Sequence, residues 1–333
     1  LVEWPIHFLH ERRERSLSAL RTSVRPSEFS CLTLSSITFT SSDIPIPVKP
    51  RLWKSTAKDA FFFVYLNCGY LWIRDLILSW MGRSRAVVLY YHRIGGRSVL
   101  SKSVEQFQDD IRYLSTRYEC LTLIELCERL RHGKRFERPI AVVTFDDGYR
   151  DNFVNAVPVL REFGVTASFF VSTAYIDSFD EFPHDRELFG PDCTYPKLTW
   201  EDLEQMQQLG FEIGSHTVTH ADMSLADEAT ARVEMQSSLD VLNAGLGSRP
   251  RCFTFPWGKP KRLSDMLVQQ LQQSGYLGSA GASGGCNTFR TNPFEIQRVD
   301  LGNGSLSHLG SRAKIAGLNL KFWHKLSGGR ASA

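Results

Sequence analysis

The chain reads as an α/β protein, a distorted (β/α) barrel of parallel strands, and three observations predict this. Short apolar runs rich in β-branched residues alternate with longer amphipathic runs between Ala86 and Val299. The strand candidates number about seven, enough to curl a parallel sheet into closure. At 333 residues with 42% hydrophobic content, the chain can bury a barrel-sized core and still carry extensions.

The elements follow in order. Ala86 to Tyr91 reads as a strand, Val104 to Leu114 and Leu123 to Leu130 as amphipathic helices, and Ile140 to Phe145 as the central buried strand. A helix is expected over Asn152 to Phe163, a strand over Ala167 to Val171, and a helix over Trp200 to Leu209 capped by Thr199. Then come a strand at Phe211 to Gly214, a helix from Asp227 to Leu242, a strand at Cys252 to Phe255 and a helix from Leu263 to Gln273. Short strands close the pattern near Tyr276 and at Gln297 to Val299. The stretch Tyr175 to Lys197, punctuated by Pro183, Gly190, Pro191 and Pro196, reads as a loop insertion that could lie over a site.

Outside the barrel, residues 1–50 are rich in Ser, Thr and Arg and end in a Pro-rich run, which predicts a disordered or non-domain extension. The segment 51–84 carries aromatic clusters broken by Asn67, Gly69, Arg74 and Asp75. Its longest uncharged run is too short to span a bilayer, so a helix lying on a membrane through residues 60–81, or packed on the domain, is expected. The catalytic unit is expected over 85–317, with a tail at 318–333. A membrane-associated or extracytoplasmic location suits these features, without excluding the cytoplasm. A net charge of +3 with no clustered basic face argues against nucleic acid as partner. Seven scattered cysteines without a C-x-x-C pair argue against a disulfide framework or a thiolate zinc site.

The chemistry concentrates in two stretches. Thr144-Phe145-Asp146-Asp147-Gly148-Tyr149 places two carboxylates at the end of the central strand, on the sheet edge where ligands bind in such folds. Neighbours on an extended chain face opposite ways, so Asp146 and Asp147 should do different jobs. Ser215-His216-Thr217-Val218-Thr219-His220 places two imidazoles after another strand. Extended backbone would hold them roughly 13 Å apart, whereas a turn brings them within about 6 Å. The arrangement is not H-E-x-x-H, because Thr217 stands where that motif has its glutamate base. Two imidazoles and one carboxylate make a three-ligand site with room for water, and the spare carboxylate can accept a proton.

These two stretches together resemble the polysaccharide deacetylases, the NodB-like domain of carbohydrate esterase family 4, over roughly Ala86 to Leu301. The resemblance implies a metal-dependent hydrolase that removes N-acetyl groups from amino-sugar residues of a polysaccharide. It implies Asp146 as base, and Asp147, His216 and His220 as ligands of a divalent ion, zinc first, with cobalt, nickel or iron accepted by the same set. The family's third motif, Arg-x-Pro-Tyr-Gly, is resembled by Phe253-Thr254-Phe255-Pro256-Trp257-Gly258 with two departures: Thr254 stands where an arginine would orient the base, and Trp257 replaces the tyrosine. Trp257 could still offer its backbone N–H to an oxyanion, with Pro256 and Tyr149 at the substrate side. Arg298 or Arg251 could replace the missing guanidinium.

For the acid, Leu306-Ser307-His308 matches the family's last motif literally. His92, at the end of the first strand, resembles instead the poly-N-acetylglucosamine deacetylase subgroup and is the expected acid. The same residues would also suit a deacetylase of peptidoglycan or of a small acetylated amide or ester. The departure at Thr254 leaves open a catalytically silent carbohydrate-binding domain.

Overall fold

Seven parallel strands close on themselves in the computed structural model, which describes residues 52–318 apart from 96–99, 191–192, 259–263, 303 and 305. The expected extension at 1–50 and the tail beyond residue 318 lie outside the described residues. The strands are β1 (Ala86–Tyr91), β2 (Arg93–Ile94), β3 (Ser101–Lys102), β4 (Glu119–Leu121), β5 (Ile140–Phe145), β6 (Ser168–Val171), β7 (Glu212–Ser215), β8 (Cys252–Thr254), β9 (Gly278–Gly281) and β10 (Ile296–Asp300). The barrel runs β1-β10-β9-β8-β7-β6-β5, and pairing of β1 with β5 closes it. β2 and β3 form a separate small pair.

The distortion comes from β4. It pairs with the first half of β5, Glu119 to Leu121 against Ile140 to Val142, on the edge that β6 takes only at Thr144 and Phe145. The helices are α1 (Leu52–Asn67), α2 (Tyr70–Trp80), α3 (Val104–Arg117), α4 (Leu123–Arg131), α5 (Val157–Glu162), α6 (Pro183–Phe189), α7 (Trp200–Gln208), α8 (Glu228–Leu246), α9 (Asp265–Gln273) and α10 (His308–Ile315). Thr199 caps α7 in a reciprocal box with Asp202, as its position before the apolar run predicts.

The period of two along the strands sorts the core. Val87, Leu89, Tyr91, Ala141, Val143 and Phe145 pack outward on helices, with Phe107, Ile111 and Leu114 of α3 among their partners. Ala86, Val88, Ile140, Val142, Cys252, Ala280 and Ile296 form a second cluster, filling the barrel. That cluster includes Leu123, Leu126, Cys127 and Leu130, one face of α4 at helical spacing, which plugs the barrel from below. Gly278 is required here: a Cβ at that position would lie 2.2 Å from Cys127 Sγ. Among the described residues the cysteines are free, and Cys127 and Cys252 meet at 3.8 Å as thiols.

Three expectations need correction. The insertion after Tyr175 is not all loop, since it contains α6, opened by Pro183 at its first turn. The expected helix from Asn152 begins with a π-helical turn, Asn152–Ala156, before α5. The aromatic segment is two helices broken after Asn67, bent by 42°. Among the described residues no single helix is long and apolar enough to cross a membrane.

Candidate active site

The inward set of β5 continues Ile140, Val142, Thr144, Asp146, so the first carboxylate sits on top of the apolar barrel filling. There it meets Arg298, inward on β10 two residues after Ile296 and 1% exposed. The guanidinium grips Asp146 with two bonds, Nη1 to Oδ1 at 2.7 Å and Nη2 to Oδ2 at 2.8 Å. It also donates to Thr144 Oγ1 at 3.2 Å and to the Gly281 carbonyl at 3.3 Å, which fixes the fork in place. Thr254 Oγ1 donates to Asp146 Oδ1 at 3.3 Å. Burial alone would push the Asp146 carboxyl up, but Arg298, with His216 and His92 nearby, reverses this and holds it below the ordinary carboxylate range. Of the two arginines that could replace the one absent at Thr254, Arg298 therefore takes the place. Arg251 pairs with Glu128 at the surface, 2.9 Å away.

Asp147 turns the other way because its backbone is left-handed, at φ 72°, followed by Gly148 at φ 89°. Asp147 is buried, and neither of its carboxylate oxygens has a hydrogen-bond partner. Oδ1 faces His220 Nε2 at 3.1 Å and His216 Nε2 at 3.4 Å. Here too burial opposes ionisation, and the two imidazoles outweigh it and hold the carboxyl well below its ordinary range. The histidine pair is brought together by left-handed Thr217 (φ 70°) and His220 (φ 59°), which turn the chain after β7. Glu234 on α8 clamps that turn, accepting from the N–H of Val218 and Thr219 and from Thr219 Oγ1. His216 Nδ1 lies 2.8 Å from the Thr254 carbonyl and 2.7 Å from its hydroxyl, so Nδ1 carries the proton and Nε2 presents a lone pair toward Asp147.

One ligand atom each from Asp147, His216 and His220 lie within 4.8 Å of one another. A buried carboxylate without donors, facing two imidazole nitrogens, suits a divalent cation well. Without one, the unpartnered oxygens of Asp147 would be costly.

His92 follows β1 directly, and the β1–β5 register pairs Tyr91 with Phe145, so His92 and Asp146 leave the sheet side by side. It is near enough to attract the carboxylates of Asp146 and Asp147 and to oppose a positive charge on His184. Asn152 Nδ2 holds its carbonyl at 3.0 Å, and Tyr90 packs edge-on to its ring. His308 opens α10 on the outside of the barrel, its side chain 54% exposed and 3.1 Å from Asp109 of α3. Pro256 is buried in the turn after β8. Trp257, at φ 56° and 47% exposed, stands edge-on to His184 and His220 at the rim.

Tyr149 departs from the expectation of a substrate-side aromatic. It is fully buried, and its hydroxyl donates to Asp185 at 2.8 Å and lies 3.2 Å from His184 Nε2. His184 and Asp185, both on α6, were not among the candidates. His184 Nε2 comes within 3.8 Å of Asp147 Oδ2, and burial pushes its pKa down to about 4 despite the pull of Asp147. The signal available was Pro183 opening a turn with an acid two residues on. The insertion is pinned to the Asp-Asp-Gly-Tyr turn by Leu198 N to Gly148 O at 2.9 Å and Arg150 N to Pro196 O at 2.9 Å, and is braced within itself by the buried pair Lys197–Glu181 at 2.7 Å.

Residues 133–278 match the polysaccharide deacetylase family. These residues form a polysaccharide deacetylase domain. A Bacillus subtilis (strain 168) protein named as a polysaccharide deacetylase, YxkH, is 24% identical over 65% of this chain and 71% of its own length. The poly-β-1,6-N-acetyl-D-glucosamine N-deacetylase of Staphylococcus aureus (strain MSSA476) is 21% identical over 67% of this chain and 81% of its own. Two solved structures share the fold. The Streptococcus pyogenes deacetylase PplD superposes with a TM-score of 0.59 at 20% identity, over 70% of this chain and 99% of that one. IcaB from Ammonifex degensii gives 0.57 at 21%, over 70% and 97%. The NodB-like barrel is thus the fold of this chain. Its matched stretch holds both aspartates and both histidines, whereas His92 and Arg298 lie outside it.

Proposed function

We propose that this deacetylase domain removes N-acetyl groups from amino-sugar residues of a polysaccharide, with Asp146 as base and His92 as acid. Asp147, His216 and His220 would hold a divalent ion, zinc first. The observation that carries this reading is the contrast between adjacent carboxylates. Asp146 is gripped by a guanidinium fork, while both oxygens of buried Asp147 lack donors and face imidazoles.

The bound ion would supply Lewis-acid polarisation of the acetyl carbonyl and a lowered pKa for the attacking water. Asp146 is kept ionised by Arg298, so it can take that water's proton across the neutral range. Oδ1 already accepts from Arg298 and Thr254, and Oδ2 from Arg298 alone among these bonds, which leaves Oδ2 a lone pair for the proton. His92 stands at the same mouth to protonate the departing nitrogen. The Trp257 backbone N–H is the candidate donor to the tetrahedral oxyanion, and its half-exposed indole offers an apolar face to a sugar ring. Tyr149 then acts by holding α6 rather than by touching substrate.

The departure at Thr254, which had left open a silent binding domain, is compensated by Arg298, and Thr254 instead orients His216. The named relatives favour poly-N-acetylglucosamine as polymer. Acetate release from oligomers of poly-β-1,6-N-acetylglucosamine, chitin and peptidoglycan, before and after chelation, tests this reading. Release that depends on metal and is greatest on the first substrate is expected. Undiminished release after metal removal, or none on any amino sugar, would overturn it.

A further inference from the structure

We infer that the outward face of α2, together with the basic loop beside its end, seats the protein on an anionic lipid bilayer surface. This inference stands apart from the deacetylation reading. The helix is amphipathic in the reverse sense for a soluble fold. Trp72, Ile73, Leu76, Ile77 and Trp80 fall on one stripe at helical spacing and face solvent, with Trp72 71% and Trp80 88% exposed. Its charged pair faces the other way: Arg74 bonds Asp75 at 2.7 Å and reaches the Ala316 carbonyl at 2.8 Å, and Leu71 is buried. A continuous apolar stripe with indoles toward its ends is the composition that partitions to the headgroup level of a membrane.

Charge identifies the occupant. Arg83, just past α2, forms a parallel bridge with Phe136, and Ser84 N donates to the Phe136 carbonyl at 3.2 Å. Ser79 Oγ also bonds the Glu137 carbonyl. These contacts fasten the loop Arg131–Arg138 to the end of the apolar helix. The cations Arg83, Lys134, Arg135 and Arg138 are all exposed there, against one acid on the loop, Glu137. An apolar stripe bordered by cations matches acyl chains beneath anionic headgroups.

The helix pair lies on the surface rather than spanning it. It is bent by 42°. Phe62 of α1 is buried beside Gly310 of α10, and Ser307 Oγ bonds Asp59 at 2.6 Å, which ties the pair to the barrel. The basic loop leads into the amino end of β5, whereas Asp146 and His92 follow carboxyl ends. Docking there leaves the active-site mouth at the opposite rim, clear for a polymer.

The test is co-sedimentation of the full chain with vesicles of phosphatidylcholine alone or mixed with phosphatidylglycerol, with acetate release from soluble oligomers followed in parallel. The wild type should bind the mixed vesicles, more weakly as salt rises. Trp72→Ser with Trp80→Ser should lose on the order of tenfold or more in partitioning. Lys134→Glu with Arg138→Glu should lose at least about fivefold per residue on mixed vesicles. All should keep wild-type acetate release, so that loss of docking is distinguishable from loss of the enzyme. Equal binding by the tryptophan variant, or equal binding to both vesicle types, would overturn the assignment. So would a wild-type dimer by light scattering that the tryptophan variant dissolves without any vesicle binding, or vesicle binding that emerges only once residues 1–50 are removed.

Discussion

Taking the guanidinium away from Arg298 should expose what it does for Asp146. In Arg298→Met the carboxylate stays buried without its guanidinium, so burial, less strongly opposed, drives its pKa up. The fraction of ionised base at a given pH then falls, and the low-pH limb of the rate profile should move to higher pH while bound metal is retained. Breaking the buried pair should also cost about 3–5 kcal/mol of stability, measured by denaturant melts. The two aspartates separate in the same way. Asp146→Asn should keep its metal and lose turnover, since an amide cannot accept the proton, whereas Asp147→Asn should lose metal by elemental analysis. Equal metal loss in both would mean that the roles are shared. His92→Ala should cost about 10²–10⁴ in rate and flatten the high-pH limb. His308→Ala, at an exposed site paired with Asp109, should stay close to wild type.

At the scale of elements, the turn between the histidines depends on α8. Glu234 supplies all three side-chain contacts that hold Val218 and Thr219, and two residues of that turn sit in left-handed backbone without being glycine. Glu234→Ala should therefore weaken metal binding about 10–100-fold by competition with a chromophoric chelator, although it touches no metal. The seven barrel strands and most helices were legible because burial imposes periods of two and 3.6 on the sequence, whereas β2, β3 and β4, two or three residues each, are too short to show a period. Helix α6 was not, because seven residues between prolines and glycine carry too little periodicity to show. With it, His184 and Asp185 were missed, since only the folded insertion brings them beneath Tyr149.

For the whole molecule, the helix pair before β1 is part of the fold as well as the proposed docking face. Phe62 and Leu71 are buried, and Arg74 caps the Ala316 carbonyl after α10. Deleting residues 1–81 should thus cost roughly 3 kcal/mol or more, seen as a lowered melting temperature, because two apolar side chains and their partners return to water.

The sequence by itself determined the barrel class, the order of its strands, and the two stretches that carry the chemistry, because all of these are local: periodicity, turn residues and spacing within one strand end. It could not decide which arginine serves Asp146, since Arg298 is 152 positions away. The closed sheet decided that by placing β10 beside β1 and β1 beside β5, so that inward residues of separated strands share one layer. Which of His92 and His308 stands at the mouth was likewise a matter of topology. Both follow plausible motifs, but parallel pairing delivers the end of β1 to the mouth, and α10 carries His308 to the outside. The separate fates of Asp146 and Asp147 came from one left-handed residue, a backbone state that an Asp-Asp-Gly sequence permits and only the packed turn selects.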